Sequence, residues 1–259
     1  MNKKIQRQNY ILNNLKQNSS TTIHELASGL KVSEMTIRRD LLSLKRENRV
    51  KLLHGGVILN SPGTIESIDS KYTLITAETR NSAEKRRIGQ KAASLIEPHD
   101  IIIIDTGSTT ENLSRCLSGD LPMTILCYTL NNLNEICKKK SCKLIFAGGY
   151  FHENSLMFES PQGVDLIKKN RANKAFLSAA GVSDKLGVTC SNHYEIETKR
   201  AAMASSQIRI LLADSTKFGQ VRSAYFADLS DFDIVITDTG LPPDYAALIE
   251  ELGISLLLV

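Results

Sequence analysis

A segment that begins at Ser33 constrains the fold of this chain more than any other stretch. Ser33 is a favourable helix N-cap, because its hydroxyl can accept a hydrogen bond from the free backbone N–H of Thr36. Ile37, Leu41 and Leu44 follow at i, i+4 and i+7, the spacing of one buried stripe on a helix. The basic residues that lie off this stripe are Arg38, Arg39, Lys45 and Arg46. Such a helix is suited to a DNA major groove, although a solvated amphipathic helix shows the same pattern.

The residues before this segment predict a second helix at the spacing of a helix-turn-helix. Thr22-Ile23-His24-Glu25 is a capping box, so we expect a short helix to start at Thr22 and to end near Lys31. Only a short turn then separates it from Ser33. Lys31 stands where many such turns need a left-handed backbone, at a cost on the order of 1 kcal/mol relative to glycine.

The flanking residues complete a winged helix-turn-helix. An earlier helix contributes apolar residues, namely Ile5, Ile11, Leu12 and Leu15. After the recognition helix, Val50 and Leu52 alternate with Arg49 and Lys51, and His54-Gly55-Gly56 can reverse the chain into a second strand. We therefore predict a winged helix-turn-helix domain over residues 1–59.

The charge of the chain is divided unevenly between its two parts. Residues 1–60 contain 11 Lys and Arg against 4 Asp and Glu, a net charge of +7, whereas the other 199 residues contain 21 against 24, a net charge of −3. A basic head on a slightly acidic body is expected if only the head contacts phosphates.

Beyond a turn-rich break at 60–64, the pattern changes to alternating helices and apolar strands. We take residues 60–75 as a linker and residues 76–259 as a second domain. Continuous apolar strands separated by helices predict an α/β domain with a mostly parallel sheet covered on both faces. The strands are expected at 101–104, which we expect to be fully buried, and at 124–127, 143–146, 174–177, 208–212, 234–236 and 256–258, with helices at 84–96 and 109–118 among those between them.

Several strand ends of this domain carry polar or small residues. The loop 105–110, Asp-Thr-Gly-Ser-Thr-Thr, opens a helix and suits a phosphate, since its hydroxyls and the free helix N–H groups can donate; an ordinary Ser/Thr cap is the alternative. Asp214 and Lys217 follow another strand and either face a ligand or pair with each other. Glu195 and Lys199, at i and i+4, either join this site or form a surface ion pair.

These residues resemble the DeoR family of bacterial repressors over nearly the whole chain. In the head the resemblance lies in Arg7, Ile11 and Leu15 and in the run from Ser33 to Leu41. In the second domain it lies in the motifs that start at Cys127, Gly148, Ser178 and Lys217. It implies a sensor domain similar to the ribose-5-phosphate isomerase/CoA-transferase fold and a phosphosugar inducer of the deoxyribose 5-phosphate type.

Two sets of site residues follow from the motifs and the resemblance together. The expected DNA-binding residues are Arg7, Thr22, Ser33, Glu34, Thr36, Arg38, Arg39, Lys45, Lys51 and His54. The expected effector-binding residues are Asp105, Thr106, Gly107, Ser108, Thr109, Thr110, Asn131, Gly149, Gly181, Glu195, Lys199, Asp214 and Lys217.

The partners predicted for the chain are a double-stranded DNA operator, a phosphorylated sugar and further copies of itself, in the cytoplasm and away from membranes. We expect no catalytic residue, no cofactor and no metal; the five cysteines contain no CxxC pair and indicate idle thiols. Two alternatives stay open: a phosphosugar isomerase with an appended DNA-binding head, in which Asp105, Glu195, Asp214 and Lys217 move protons, and a repressor that senses a different sugar phosphate.

Overall fold

The computed structural model describes residues 3–18, 20–21, 23–46, 49–53, 56–59 and 81–259. The chain divides into two compact units, Met1–Ser70 and Lys71–Val259. In the described part of the first unit, which we call the head, the helices are α1 (Lys3–Asn18), α2 (Ile23–Leu30) and α3 (Glu34–Arg46). Its strands are β1 (Ser20–Thr21), β2 (Val50–Leu53) and β3 (Gly56–Leu59).

Helices α2 and α3 form the expected helix-turn-helix. The backbone N–H of Thr36 donates to the Ser33 hydroxyl at 3.3 Å, so Ser33 caps α3 as predicted. Lys31 has a φ of 51° and supplies the left-handed residue that the turn needs. Thr22 of the predicted capping box lies outside the described residues, while the Glu25 carboxylate accepts a hydrogen bond from the Thr21 hydroxyl at 2.9 Å.

A single apolar core holds the head together. The stripe predicted on α3 is fully buried and packs against α1, α2 and the strands. The core residues are Ile11, Leu12, Leu15, Leu26, Ala27, Ile37, Leu41, Leu44, Val50 and Val57. The predicted wing is confirmed, since β2 and β3 pair antiparallel with Leu53 opposite Gly56, and β1 adds a third strand on the other side of β3.

The second unit, which we call the sensor unit, alternates helices and strands. Its helices are α4 (Ser82–Ala93), α5 (Ser108–Cys116), α6 (Leu130–Ile136), α7 (Pro161–Lys169), α8 (Ile196–Ala204) and α9 (Pro243–Glu251). Its strands are β4 (Ile101–Ile104), β5 (Met123–Cys127), β6 (Cys142–Phe146), β7 (Tyr150–His152), β8 (Met157–Glu159), β9 (Ala172–Ser178), β10 (Gly181–Ser183), β11 (Gly187–Cys190), β12 (Ser206–Leu212), β13 (Ala224–Ala227), β14 (Ile234–Thr237) and β15 (Ser255–Leu258).

Seven of these strands form one parallel sheet in the order β15-β14-β12-β9-β4-β5-β6. Apolar cores cover both faces, with α4, α5 and α6 on one face and α7, α8 and α9 on the other. The predicted α/β class and the seven predicted strands are thus confirmed. The prediction that Ile101 is buried is wrong, because this first residue of β4 is exposed at the sheet margin. The first helix ends at Ala93, three residues earlier than predicted, and α5 spans Ser108–Cys116 instead of 109–118.

Two small antiparallel pieces were not predicted from the sequence. Strands β7 and β8 form a hairpin, and β10, β11 and β13 form a three-stranded sheet that packs into the core beside α8 and α9. Their strands have only three or four residues each, too few for an alternating pattern to stand out. In the parts of the chain described by the structure, no helix has the length and apolarity needed to cross a membrane.

Candidate functional sites

The first candidate site is the outer face of α3. Met35, Arg38, Arg39, Leu42 and Lys45 recur at intervals of three and four residues and are all exposed. This face lies opposite the buried stripe of the same helix. A helix with this division presents two arginines and a lysine to a polyanion while its back stays in the core.

Arg7, which we expected to contact DNA, forms an ion pair within the head. Its guanidinium forms a bidentate ion pair with Asp40, with Nε to Oδ2 at 2.6 Å and Nη2 to Oδ1 at 3.2 Å. Asp40 is almost fully buried, so the pair fastens α1 to α3. The hydrogen bond to Asp40 raises the pKa of Arg7. Arg7 therefore supports the recognition helix through Asp40, and its expected contact with DNA stays a prediction.

The other expected DNA contacts divide between exposed and undescribed positions. Ser33 and Glu34 are exposed and Thr36 is half-buried. Glu34 lies 4.0 Å from Arg38, a loose pair between two largely exposed side chains that leaves the arginine accessible. Thr22, His54 and the side chain of Lys51 lie outside what the structure describes.

The second candidate site lies at the carboxyl edge of the parallel sheet. Strands β5 and β6 continue from β4 in one direction, whereas β9, β12, β14 and β15 continue in the other. The strand order therefore reverses between β4 and β9, and in open α/β sheets ligands bind in the crevice at such a switch point. The loop 105–110 follows β4 and the segment 179–181 follows β9, so both lie at this switch point.

The loop 105–110 combines hydroxyls that bond to the protein with hydroxyls that have no partner among the described residues. Gly107 has a φ of 136°, and a Cβ there would lie 2.7 Å from the Ser178 hydroxyl, so this position requires glycine. The Thr106 hydroxyl donates to the Ser155 carbonyl at 3.3 Å, and the Thr110 hydroxyl donates back into the loop. Ser108 and Thr109 open α5 with hydroxyls for which the described residues supply no hydrogen-bond partner. Free N–H groups of the first helical turn lie beside them.

Asp105 is enclosed by the protein. Its Oδ1 accepts from the Tyr128 hydroxyl at 2.6 Å, and its Oδ2 accepts from the backbone N–H of Ser178 at 2.9 Å and from Lys199. Both members of the ion pair have essentially no exposed side-chain area. The expectation that Asp105 helps to hold a phosphate is therefore corrected, because both oxygens of this buried carboxylate already accept hydrogen bonds from the protein. Asp105 instead links the carboxyl ends of β4, β5 and β9 at the switch point.

Glu195 and Lys199 belong to the same buried cluster, which excludes the surface ion pair considered above. Glu195 Oε2 lies 3.8 Å from Lys199 Nζ, and Oε1 accepts from the backbone and side-chain nitrogens of Asn192. Burial lowers the pKa of Lys199, but the charges of Asp105 and Glu195 outweigh it and raise that pKa overall. Burial also raises the pKa of Glu195, against the opposing effect of Lys199.

Asp214 and Lys217 do not pair with each other. Asp214 is fully buried at the end of β12, and its Oδ1 accepts from Asn81 Nδ2 at 2.9 Å and from Thr216. Its Oδ2 is buried without a hydrogen-bond partner. Lys217 is half-buried and makes no ion pair with the described residues. It precedes Phe218, which bridges to Val182 beside the β9–β10 connection.

The remaining expected effector residues pack against the protein in different ways. Asn131 donates to Glu111 at 2.9 Å and keeps a buried, unpaired Oδ1. A Cβ on Gly149 would lie 2.2 Å from the Glu159 carbonyl and one on Gly181 would lie 2.5 Å from the Gln220 carbonyl. Both glycines therefore allow a close approach of neighbouring backbone, and their expected role in effector binding stays a prediction.

A separate open groove of about 480 Å³ lies at the carboxyl end of β6. Gly149 is part of its wall, but the loop 105–110 is not. The residues that line it are Gly148, Gly149, Tyr150, Ser160, Gln162, Gly163 and Leu166.

The cysteines and acidic residues give no sign of a metal site in the described ranges. No group of three or more His, Cys, Asp or Glu residues there is arranged to hold an ion. Burial raises the pKa of Cys127 and of Cys190 to about 12, so both remain neutral thiols.

Sequence reasoning missed three residues that organise the sheet edge. Tyr128 and Ser178 bond Asp105, and Asn81 bonds Asp214 across 133 positions of sequence. Tyr128 and Ser178 lie at strand ends, which is the signal that singled out Asp105 itself. Asn81 precedes α4 with a left-handed φ of 52°, which the sequence does not distinguish from an ordinary turn.

Comparison with known proteins identifies relatives for both units. The family model of the DeoR-like helix-turn-helix domain matches residues 7–63, and that of the DeoR C-terminal sensor domain matches residues 80–239. The deoxyribose operon repressor of Escherichia coli K12 is 35% identical over 235 residues, which cover 91% of this chain and 90% of the relative. The HTH-type transcriptional regulator GolR of Listeria innocua is 33% identical over 237 residues, covering 91% of each chain.

Solved structures show a more distant similarity. Ribose 5-phosphate isomerase A from Methanocaldococcus jannaschii aligns with a TM-score of 0.41 at 14% identity, covering 53% of this chain and 55% of the isomerase.

Proposed function

Because this chain belongs to the DeoR family of transcriptional regulators, we propose that it represses an operon for sugar or deoxynucleoside catabolism and leaves its operator when a phosphosugar binds the sensor unit. The DNA-binding part of this proposal rests on the outer face of α3. Ile37 and Leu41 anchor the helix in the core while Arg38, Arg39 and Lys45 stay accessible. Arginine contacts to guanine are the commonest specific contacts in the major groove, and phosphate contacts position the helix.

The effector-binding part of the proposal rests on polar groups at the carboxyl edge of the sheet that have no bonding partner among the described residues. The hydroxyls of Ser108 and Thr109 and the N-terminus of α5 offer hydrogen-bond donors, and Lys217 adds a positive charge. Donors together with a cation match a phosphate monoester. The buried Oδ2 of Asp214 and Oδ1 of Asn131 are acceptors without partners and suit the sugar hydroxyls.

The proposed inducer is deoxyribose 5-phosphate. Its support is the similarity of 91% of this chain to the deoxyribose operon repressor of Escherichia coli. A different sugar phosphate would use the same phosphate contacts and differ only at the acceptors. Induction requires that the sugar phosphate prefer the state with low DNA affinity, and a tenfold loss of affinity needs about 1.4 kcal/mol of that preference.

A hydrogen bond inside the sensor unit is the proposed link between effector binding and induction. Asn81 is the first described residue after the segment that follows the head, and its amide donates to the Asp214 carboxylate. A sugar hydroxyl that donates to the free Oδ2 of Asp214 adds a hydrogen bond to the group that holds Asn81. We propose that effector binding alters the hydrogen bonding of Asn81, which precedes α4, and that this change accompanies induction.

Two of the four groups that the isomerase alternative requires are not available to a substrate. A general base needs an accessible carboxylate within reach of the substrate. Asp105 and Glu195 are instead buried and engaged with Lys199. Incubation of the purified protein with pentose phosphates should therefore give no isomerisation above the buffer control, and a measurable turnover would favour the enzyme.

We further propose that the protein acts as a homo-oligomer in the cytoplasm. A single winged head covers a small DNA surface, and repressors gain specificity when two heads bind related half-sites. The exposed positive charge of the head disfavours self-association there, so the sensor unit is the proposed assembly surface.

The proposal is tested by operator binding titrated with deoxyribose 5-phosphate and with free deoxyribose. Only the phosphorylated sugar should release the wild-type protein. Lys217→Ala should bind operator normally and respond to a higher sugar phosphate concentration, whereas Lys169→Ala, which removes an exposed lysine elsewhere on the sensor unit, should behave as wild type. Release by free deoxyribose would refute the phosphate assignment, and release only by another phosphosugar would refute the choice of sugar alone.

A further inference from the structure

The outer face of α3 has an apolar component that phosphate binding does not use. Met35 is 61% exposed and Leu42 is 50% exposed. They alternate with Arg38 and Arg39 at intervals of three and four residues, so the apolar and basic side chains share one face. A helix face meant only for water or for phosphates has no need of two large apolar side chains in these positions.

The position of Met35 limits what it can contact on DNA. It is the second residue of α3, two positions after the capping residue Ser33. In helix-turn-helix proteins the N-terminal residues of the recognition helix lie against base edges in the major groove. Met35 therefore faces bases when Arg38 and Arg39 reach the same duplex.

The chemistry of the side chain selects one kind of base. A thioether on an alkyl chain is at best a weak acceptor and offers nothing to the donor and acceptor atoms of guanine, cytosine or adenine. Thymine alone presents an apolar group in the major groove, its C5 methyl, and apolar side chains pack against that group. Methionine is also flexible enough to follow the methyl position.

We infer that Met35 is a specificity-determining residue that reads a thymine methyl group in the operator, with Leu42 as a second apolar contact further along the same face. The inference rests on the proposed DNA-binding function and adds a base preference to it. DNA is the occupant that fits this face, because the apolar side chains are flanked by arginines and residues 1–60 carry a net charge of +7.

The test replaces thymine by uracil, which keeps every hydrogen-bonding group and removes only the methyl. Double-stranded DNA is selected from a random pool by the full-length protein, and each thymine of the selected site is then changed singly to uracil. Wild-type affinity should fall about fourfold at one or more positions, the effect of about 0.8 kcal/mol expected for one buried methyl-sized group. If no single replacement weakens binding, the inference is wrong.

Variants of the protein test whether the Met35 side chain causes the loss of affinity when thymine is replaced by uracil. Met35→Ala should bind the thymine and uracil forms of the most sensitive position equally, whereas Leu186→Ala, which truncates an exposed leucine of the sensor unit, should keep the fourfold difference. A full difference retained in Met35→Ala would overturn the inference. Since the uracil scan uses the wild-type chain, it stays decisive if a variant folds poorly. A pool that yields no enriched sequence would refute the DNA-binding function itself, a separate outcome.

Discussion

Replacing Lys199 by methionine should destabilise the sensor unit strongly and in a pH-dependent way. The substitution keeps a long apolar side chain but leaves Asp105 and Glu195 buried with no cation beside them. Removal of one partner from a buried ion pair costs about 3–5 kcal/mol. Because a typical domain is stable by only about 5–15 kcal/mol, this change should lower the unfolding midpoint visibly.

The pH dependence follows from the uncompensated carboxylates. Burial already raises the pKa of Glu195, and without the ammonium group of Lys199 beside it that pKa should rise further. An acid whose folded-state pKa lies above its unfolded-state value stabilises the fold at low pH and loses that contribution as pH rises through the folded-state pKa. The deficit of Lys199→Met should therefore be smaller near about pH 5 than near about pH 8.

Urea denaturation followed by circular dichroism measures both effects, which suits a chain that lacks tryptophan. Lys217→Met is the matched control, since it removes a lysine at the same sheet edge that has no ion pair with the described residues, and it should change stability by less than about 0.5 kcal/mol. The double variant Lys199→Met with Asp105→Asn should recover part of the loss, because a buried charge is removed with its partner. A Lys199→Met variant that loses under about 1 kcal/mol at both pH values would refute the structural role of this cluster.

Three further predictions concern the head, the operator and assembly. Asp40→Asn should lower the stability of the head by about 1–3 kcal/mol, because Arg7 loses its charged partner, and thermal unfolding monitored by circular dichroism should show it. Arg38→Ala or Arg39→Ala should weaken operator binding by about 1–3 kcal/mol if the side chain reads a base, and unchanged affinity in both variants would remove α3 as the recognition helix. Light scattering should report an oligomer at micromolar concentration, and a monomer with and without DNA would contradict the proposed half-site binding.

The head was predicted from sequence almost completely, because its signals are local. A capping serine, an apolar stripe at helical spacing and a lysine in a left-handed turn each act within a few residues. Ser33, Lys31 and the buried stripe that starts at Ile37 are all where the sequence places them. The parallel sheet was predicted for a similar reason, since continuous apolar runs between helices are compatible with few other architectures.

Tertiary structure decided which polar residues of the sensor unit stay available to a ligand. From the sequence, Asp105, Lys199 and Lys217 are equally good candidates for effector binding at the edge of the sheet. The fold buries the first two against each other and leaves the third without an ion pair among the described residues. Lys199 and Lys217 follow Asp105 by 94 and 112 positions in sequence, and their contacts depend on which strands become neighbours in the sheet. Local patterns determine the strands, but strand order decides whether a charged side chain is buried in an ion pair or stays unpaired.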